Sequence, residues 1–256
     1  MAELHRVLIA NRGEIAIRIT DAASSLGIES VGVFVAEDEA SLHTQVTDDR
    51  HRLDAPVGNP VAGYLDIQGL IAAARETGCD SIHPGYGFLA ESAAFAAACE
   101  DAGLTFIGAS SRALALFGDK VHARALAHLI GVPMVPGSND EVANIDEAEA
   151  AASEIGYPVM LKAASGGGGR GMRRIPSADE LRAQFESCRS EAQAAFGDGA
   201  MFLERLVERP RHIEVQLLAD SSGNVVHLVD RDCSVQLRNQ KVVEVAPAVG
   251  LDPALR

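Results

Sequence analysis

Residues 158–173 read PVMLKAASGGGGRGMR, a short apolar segment that runs through Lys162 into four consecutive glycines, 166–169. Such a run costs conformational entropy on folding, so it indicates positive φ angles or a close approach of the backbone to a ligand. Successive amides in a glycine turn can bind one anion. Lys162 before the run and Arg170 after it add positive charge. The stretch therefore predicts a phosphate-binding loop.

The spacing of these glycines matches no standard nucleotide loop completely. Gly166, Gly168 and Gly171 formally satisfy G-x-G-x-x-G, but that fingerprint must open a helix. Residues 172–175 instead read as a strand, and no Gly-Lys-Ser/Thr of a Walker loop follows. A strand–loop–strand hairpin, with the loop closing over phosphates as a lid, fits better. The alternative is a surface loop that binds no ligand.

Upstream of this loop, short apolar strands alternate with helices. Such alternation is typical of a parallel sheet with crossover helices. The sequence predicts strands at 6–10, 30–35, 80–83 and 105–108, and helices at 14–25, 66–77 and 92–102. The fold class is therefore α/β, with a doubly wound, Rossmann-like parallel sheet over residues 1–110.

From residue 111 the pattern becomes α+β. A helix is predicted over 111–130, followed by the order helix, strand, glycine loop, strand, helix and strand. Residues 212–219 and 225–229 then read as an antiparallel hairpin. This predicts a second domain over 111–256, with a glycine-loop subdomain at about 132–204 and the start of a larger body at 205–256.

The C-terminal residues Leu251-Asp252-Pro253 read as a helix start. Because a helix needs more residues than remain, we expect the second domain to be truncated at its C-terminal side.

The composition is that of a soluble globular protein, with 47% hydrophobic and 23% charged residues. The net charge of −14 argues against a nucleic-acid partner, which requires clustered lysine and arginine. We see no signal peptide and no membrane-spanning run. We therefore expect no membrane partner and a cytoplasmic location, or a matrix location if a transit peptide is missing. Without CxxC pairs, the cysteines are expected to be reduced, buried thiols.

Three further groups are open to two interpretations. Lys120, at a helix start, would by itself be read as a solvated surface residue. Glu204, in the extended segment 201–207, is either an acceptor for the amino group of adenine or a surface side chain. Lys241, followed by Glu244, either holds a small anion such as bicarbonate or belongs to a polar loop. The chain contains no G-x-S-x-G or H-E-x-x-H motif, so nothing favours a hydrolase.

Taken together, these segments resemble the biotin carboxylase family of ATP-grasp enzymes. The resemblance covers essentially the whole chain and rests on five blocks in the family's order. They are 9–16 (IANRGEIA), 83–91 (HPGYGFLAE), 118–120 (GDK), the glycine loop 162–173, and a final block that combines 210–216, 231–236 and 240–244.

The resemblance implies a nucleotide site and a bicarbonate site. Lys120 and Lys162 would contact the phosphates of ATP, and Lys241, as the catalytic residue, would help to hold bicarbonate. Glu204, Arg205 and Val207 would line the adenine pocket, and His212 would lie near the ribose and phosphates. The full set implied for the nucleotide is Lys120, Lys162, Gly166, Gly167, Gly168, Gly169, Glu204, Arg205, Leu206, Val207, His212, Gln236 and Asn239.

The reaction implied is the first half-reaction of an acyl-CoA or pyruvate carboxylase, in the former case within fatty acid metabolism. Bicarbonate attacks the γ-phosphate of ATP to give carboxyphosphate, and the CO₂ released from it carboxylates biotin. The implied cofactors are ATP, Mg²⁺ or Mn²⁺, and biotin as a carrier-bound substrate. The implied partners are a biotin carboxyl carrier domain or protein and a carboxyltransferase component, with homo-oligomers in the full-length protein.

The family's metal-binding acids, catalytic arginine and biotin-site residues lie beyond Arg256. We therefore predict no metal ligand in this chain, and we expect it to bind nucleotide without turnover.

Some residues depart from the family pattern. Leu237 and Asn239 stand where the family often has arginine and histidine, so one cation and one titratable imidazole are lost. Val245 stands where a second glutamate is common, and Ser165 where some members have a fifth glycine. Two alternatives stay open: another ATP-grasp ligase, such as a carbamoyl-phosphate synthetase-like or purine-pathway carboxylating enzyme, and a non-catalytic nucleotide-binding fragment.

Overall fold

A computed structural model describes residues 4–138, 140–164, 172–220, 222–237 and 240–256. The chain divides into two compact units, Met1–Gly118 and Asp119–Arg256. Each unit has a hydrophobic core of its own. The predicted α/β class is confirmed, because the first unit contains a parallel sheet and the second contains antiparallel sheets.

The first unit is built on a five-stranded parallel sheet in the order β3-β2-β1-β4-β5. The strands are β1 (Arg6–Ile9), β2 (Glu29–Phe34), β3 (Asp49–Arg52), β4 (Ser81–His83) and β5 (Thr105–Phe106). Strands β1 and β2 are buried almost throughout, as expected for a parallel sheet covered on both faces. The edge strand β3 was not predicted, because its sequence DRHR contains no apolar residue.

The first unit contains six α-helices in its described residues, of which α1 to α5 contribute buried residues. They are α1 (Gly13–Ser25), α2 (His43–Val46), α3 (Val61–Tyr64), α4 (Ile67–Glu76), α5 (Ala93–Asp101) and α6 (Ser111–Gly118). Asp66 and Ser92 cap α4 and α5 by accepting hydrogen bonds from backbone amides of the first turn. The buried core includes Tyr64, Leu70 and Phe95, all with no exposed surface.

The second unit begins with α7 (Lys120–Leu129) and continues with the predicted order of elements. These are α8 (Ile145–Ile155), β6 (Val159–Ala163), β7 (Met172–Ile175), α9 (Ala178–Phe196) and β8 (Met201–Arg205). The strands form an antiparallel sheet in the order β7-β6-β8. Alternate residues of β6, among them Leu161, are buried in a core shared with α8 and α9. The intervening residues of β6, including Lys162, therefore lie on the other face.

A second antiparallel sheet of this unit has the order β11-β10-β9. Its strands are β9 (Ile213–Ala219), β10 (Val225–Leu237) and β11 (Gln240–Val245). Leu217 and Leu218 are both exposed, although consecutive residues of a strand point to opposite faces. Apolar side chains are thus exposed on both faces of this sheet.

The second strand of the hairpin was predicted at 225–229. This prediction is too short, because β10 continues to Leu237. The second half of β10 pairs with both neighbours: Arg231 lies opposite Glu214 on β9, and Gln236 lies opposite Lys241 on β11. The residues of this stretch are mostly polar and do not alternate between apolar and polar, so the sequence pattern does not predict the strand. Gln236 therefore lies in β10 and Lys241 in β11. The interpretation of Lys241 as part of a polar loop is wrong.

The single helix predicted over 111–130 is in fact two helices, α6 and α7. The break falls at Asp119, whose carboxylate accepts a hydrogen bond from the amide of His122 at 2.9 Å. That contact is typical of a helix N-cap, so the aspartate starts a new helix there.

The helix start predicted at 251–253 coincides with a hydrogen-bonded turn at Asp252. The side chain of Asp252 accepts from the amide of Ala254 and its carbonyl accepts from the amide of Leu255, both at 2.9 Å. The amide of Arg256 also donates to that carbonyl, at 3.3 Å, so these bonds are those of the first turn that a helix start requires.

All four cysteines, Cys79, Cys99, Cys188 and Cys233, are free and buried, which confirms the prediction of reduced thiols. Burial raises the pKa of the Cys99 thiol to about 11. In the described part of the chain, every helix is too short or too polar to cross a membrane.

Candidate functional site

Lys162 occupies the penultimate position of β6, just before the glycine loop. Its ammonium forms an ion pair with Glu204 and lies 5.6 Å from the centre of the Phe202 ring. The antiparallel register explains this arrangement, because Lys162 lies opposite Phe202 and Met160 lies opposite Glu204. Lys162 and Glu204 are therefore diagonal neighbours on one face of the sheet. The predicted phosphate lysine and the predicted adenine residue lie in direct contact.

Glu204 lies between two cations. Its Oε2 contacts Lys162, and its Oε1 accepts a hydrogen bond from Nη1 of Arg124 on α7 at 3.0 Å. The side chains of all three residues are largely buried, with 18–25% of their surface exposed. A carboxylate removed from water in this way is stabilised only when it is paired. The cluster has a net charge of +1, which suits it to an anionic ligand.

The backbone beside Glu204 is held by a neighbouring loop segment. The amide of Ser138 donates to the carbonyl of Leu203 at 2.8 Å, and the amide of Arg205 donates to the carbonyl of Pro136 at 2.7 Å. The next amide, of Leu206, donates to the carbonyl of Pro158 at 3.0 Å. Residues 203–206 are thus fixed as an extended segment, as predicted for 201–207, and the half-exposed Val207 follows it.

Lys241 belongs to a second cluster, which lies across the sheet β11-β10-β9. Its ammonium pairs with Glu214, and Nη2 of Arg231 lies 2.9 Å from the other oxygen of the same carboxylate. Arg231 also pairs with Glu244. The hydrogen bond between Lys241 and Glu214 raises the pKa of the lysine and lowers the pKa of the carboxyl. Both groups are therefore charged at neutral pH.

His212 and Gln236 border the same cluster. The side-chain amide of Gln236 donates to Nδ1 of His212 and to the carbonyl of Cys233, both at 2.9 Å. With Nδ1 accepting, the imidazole proton lies on Nε2, 3.6 Å from Glu214. The structure thus brings His212, Gln236 and Lys241 together around one carboxylate.

Several predicted residues cannot be placed in this way. Gly166, Gly167, Gly168, Gly169 and Asn239 lie outside the described residues. For Lys120 the backbone starts α7 as predicted, but its side chain lies outside the described part of the structure.

Three residues of these clusters were not predicted from the sequence. Arg124 follows Lys120 by four positions, which places both on one face of a helix, and that spacing was the available signal. Glu214 follows His212 by two positions in the predicted strand 212–219, which places both on one face, and that spacing was again the available signal. Arg231 had no local signal, because its contact with Glu214 depends on the register of the hairpin.

Within the described ranges, no three His, Cys, Asp or Glu side chains are grouped as a metal site would require. No residue is therefore assigned as a metal ligand, and no chemical step is assigned to a metal held by this chain.

Two family models together cover nearly the whole chain. Residues 3–114 match the biotin carboxylase N-terminal domain. Residues 119–256 match the ATP-binding domain of the carbamoyl-phosphate synthase L chain.

Full-length relatives are much longer than this chain. The mitochondrial pyruvate carboxylase of Rattus norvegicus is 50% identical over 253 residues, which is 99% of this chain and 21% of the relative. The chain spans about a fifth of the length of the curated relatives it matches.

Solved structures agree in fold over the same range. The biotin carboxylase domain of the Hydrogenobacter thermophilus 2-oxoglutarate carboxylase, solved with MgADP, ADP and bicarbonate, is 44% identical with a TM-score of 0.94. The match covers 100% of this chain and 56% of that domain. A biotin carboxylase from Campylobacter jejuni, in a beta-gamma-ATP complex, is 43% identical with a TM-score of 0.94, over 99% of this chain and 56% of the other.

Proposed function

The chain belongs to the biotin carboxylase family, and from this premise we propose that it binds ATP and bicarbonate for the ATP-dependent carboxylation of biotin. Its domains are residues 1–110, the N-terminal domain, and 111–256, part of an ATP-grasp domain. The observation that carries the proposal is the contact between Lys162, beside the glycine loop, and Glu204 on the next strand. It concerns two groups of suitable chemistry, a cation for a phosphate and an acceptor for the base, on one face of one sheet.

ATP binds with its phosphates at Lys162 and Lys120 and under the glycine loop 166–169. The adenine ring lies against the extended segment 204–207, where Glu204 accepts from its amino group. This assignment is supported by the fixed backbone of that segment and by the positive net charge around Glu204. Gln236 and Asn239 border the nucleotide, and His212 lies near its ribose and phosphates.

Bicarbonate binds at Lys241. The ammonium and the nearby guanidinium of Arg231 are the two donors available to a small planar anion, and Glu214 and Glu244 balance their charge. Glu214 keeps both cations in place and charged. Held beside the γ-phosphate, the bicarbonate oxygen attacks phosphorus, ADP leaves, and carboxyphosphate forms. The residues of this chain act by positioning and by neutralising charge, the main sources of catalysis in phosphoryl transfer.

Carboxyphosphate then breaks into CO₂ and phosphate, the phosphate takes the proton of a ureido nitrogen of biotin, and that nitrogen attacks the CO₂. The biotin is attached to a carrier domain or protein, and a carboxyltransferase component passes the carboxyl group to the final acceptor. An acyl-CoA and pyruvate are the two classes of acceptor proposed. Mg²⁺ or Mn²⁺ enters with the nucleotide. We place the protein in the cytoplasm, as a homo-oligomer when full length.

The 256-residue chain alone binds nucleotide without turnover. The test compares this chain with a polypeptide in which it is followed by the remaining part of a biotin carboxylase domain. ATP hydrolysis and the carboxylation of free biotin are measured with and without bicarbonate. We expect bicarbonate-dependent turnover from the longer polypeptide only, and its loss in the variant Lys241→Ala.

Two results would contradict this proposal. Bicarbonate-dependent hydrolysis by the 256 residues alone would show that the chain turns over. A longer polypeptide that hydrolyses ATP equally well without bicarbonate would contradict the role of the Lys241 cluster.

A second candidate is an ATP-grasp ligase of the carbamoyl-phosphate synthetase type, which the match of residues 119–256 favours. Ammonia-dependent formation of carbamoyl phosphate by the longer polypeptide would support it. The match of residues 3–114 favours biotin carboxylase instead.

A further inference from the structure

We infer that Arg124 is a positioning residue for base recognition: it holds the Glu204 carboxylate when the phosphates of ATP draw Lys162 away. Glu204 then accepts a hydrogen bond from the exocyclic amino group of adenine. The inference rests on the proposed nucleotide site and assigns the residue that controls the choice of base.

The contacts of Arg124 fix it at two points. Nη1 donates to Oε1 of Glu204 at 3.0 Å, and Nη2 donates to the carbonyl of Val135 at 3.2 Å. A Cβ added at Gly137 would lie 2.8 Å from Nη2, so the guanidinium packs closely against that glycine. Because a guanidinium is a rigid fork, two contacts in different directions leave it little freedom to move.

Lys162 is the more mobile of the two cations. Its ammonium ends a flexible stem and has three rotatable donors, so it can leave Glu204 for a phosphate oxygen without a change in the backbone. Its departure would leave a largely buried carboxylate with no positive partner if Arg124 were not present. With Arg124 in place, Oε1 stays bound and Oε2 becomes free to accept from the ligand.

When Lys162 leaves and Arg124 stays, the free oxygen of Glu204 determines which base the site prefers. The 6-amino group of adenine donates to a carboxylate oxygen, whereas the 6-oxo group of hypoxanthine presents a lone pair to it. A site built around an acceptor rejects the ligand that cannot donate. Arg124 therefore favours ATP over inosine triphosphate by keeping the Glu204 carboxylate correctly oriented.

The test is the ratio of the dissociation constants for inosine triphosphate and ATP, measured by calorimetry on the 256-residue chain. We expect the parent to prefer ATP by at least about tenfold. Arg124→Met should lose most of this preference, and Arg124→Lys should keep an intermediate ratio, because it retains the charge but not the fork. The matched control is Arg182→Met, which removes an arginine that pairs with Glu149 in the same unit.

A purely structural role for Arg124 predicts a different pattern. Arg124→Met would then weaken both nucleotides equally and leave the ratio unchanged, which would overturn the inference. In a Glu204→Gln background, Arg124→Met should cause no further change in the ratio; a further change would also overturn it. If Arg124→Met fails to fold by circular dichroism, Arg124→Lys with an unchanged ratio would still contradict the inference. A parent chain that binds neither nucleotide would instead refute the proposed function.

Discussion

The ammonium of Lys162 and the carboxylate of Glu204 form an ion pair between the neighbouring strands β6 and β8. One of these residues is predicted to bind phosphate and the other to bind adenine. Their contact links the two ends of the proposed nucleotide site within one sheet. Because of this contact, a phosphate must compete with Glu204 for Lys162. Arg124 allows Lys162 to leave, since it keeps Glu204 paired.

Lysine labelling can test the proposed nucleotide site and the proposed bicarbonate site in one experiment. The chain has three lysines, Lys120, Lys162 and Lys241, and all three are predicted site residues. We expect ATP to protect Lys120 and Lys162 from an amine-reactive reagent, and bicarbonate to protect Lys241. Mass spectrometry measures the modified fraction, with the N-terminal amine as an internal reference. Equal labelling of Lys120 and Lys162 with and without ATP would contradict the proposed phosphate contacts.

The variant Glu214→Gln should lower the pKa of Lys241 toward its ordinary value. The parent carboxylate raises that pKa by accepting a hydrogen bond from the ammonium and by its charge, and glutamine keeps the shape but loses the charge. Titration of the lysine side chains by NMR measures the shift. Glu244→Gln is the control and should change the pKa of Lys241 less, because its effect acts only through charge. An unchanged pKa in Glu214→Gln would rule out the pairing.

Asp232 should make the stability of the second unit depend on acid pH. Hydrogen bonds from Ser234 and Arg211 lower the pKa of its carboxyl to about 2. Since the folded pKa lies below the ordinary value of 3.8, its stabilisation is complete above that value. It is lost as the pH falls toward 2.

Asp232→Asn should therefore lower the midpoint of urea unfolding at neutral pH. The difference from the parent should shrink between pH 4 and pH 2. The control is Asp101→Asn, at an exposed position of the first unit. A difference between Asp232→Asn and parent that stays constant across this range would contradict the assignment.

Leu161→Ala should destabilise the protein by about 2–5 kcal/mol, because it removes a side chain with no exposed surface from the core beside β6. The cavity lies directly under the strand that carries Lys162, so nucleotide affinity should fall as well. Chemical denaturation gives the free energy of unfolding. Leu129→Ala is the matched control: its side chain is 81% exposed, so the change should stay within about 0.5 kcal/mol. Equal effects of the two changes would argue against this core.

The sequence predicted the fold well where apolar residues follow a clear period. The buried strands β1 and β2 and the helices α4 and α5 lie within one residue of their predicted ends, apart from their caps. Strand β3 was missed and β10 was predicted too short because polar residues carry them. Their pairing depends on neighbouring strands, which local periodicity does not report.

The same limit applies to the candidate site. Lys162, Glu204 and Lys241 could be predicted from motif and resemblance, since each lies next to a recognisable block. Their partners could not, because Arg124 reaches Glu204 from a helix 80 residues away in the chain. Glu214 reaches Lys241 only through the register of three strands. Charge pairing between distant segments is set by tertiary structure.

The most direct test of the account is equilibrium binding of ATP to the 256-residue chain by calorimetry. The account predicts one saturable site per chain. It also predicts that Lys162→Gln weakens binding by about 10–100-fold, because one hydrogen bond to a charged phosphate is lost. No saturable binding by the parent, or the same affinity in Lys162→Gln, would contradict it.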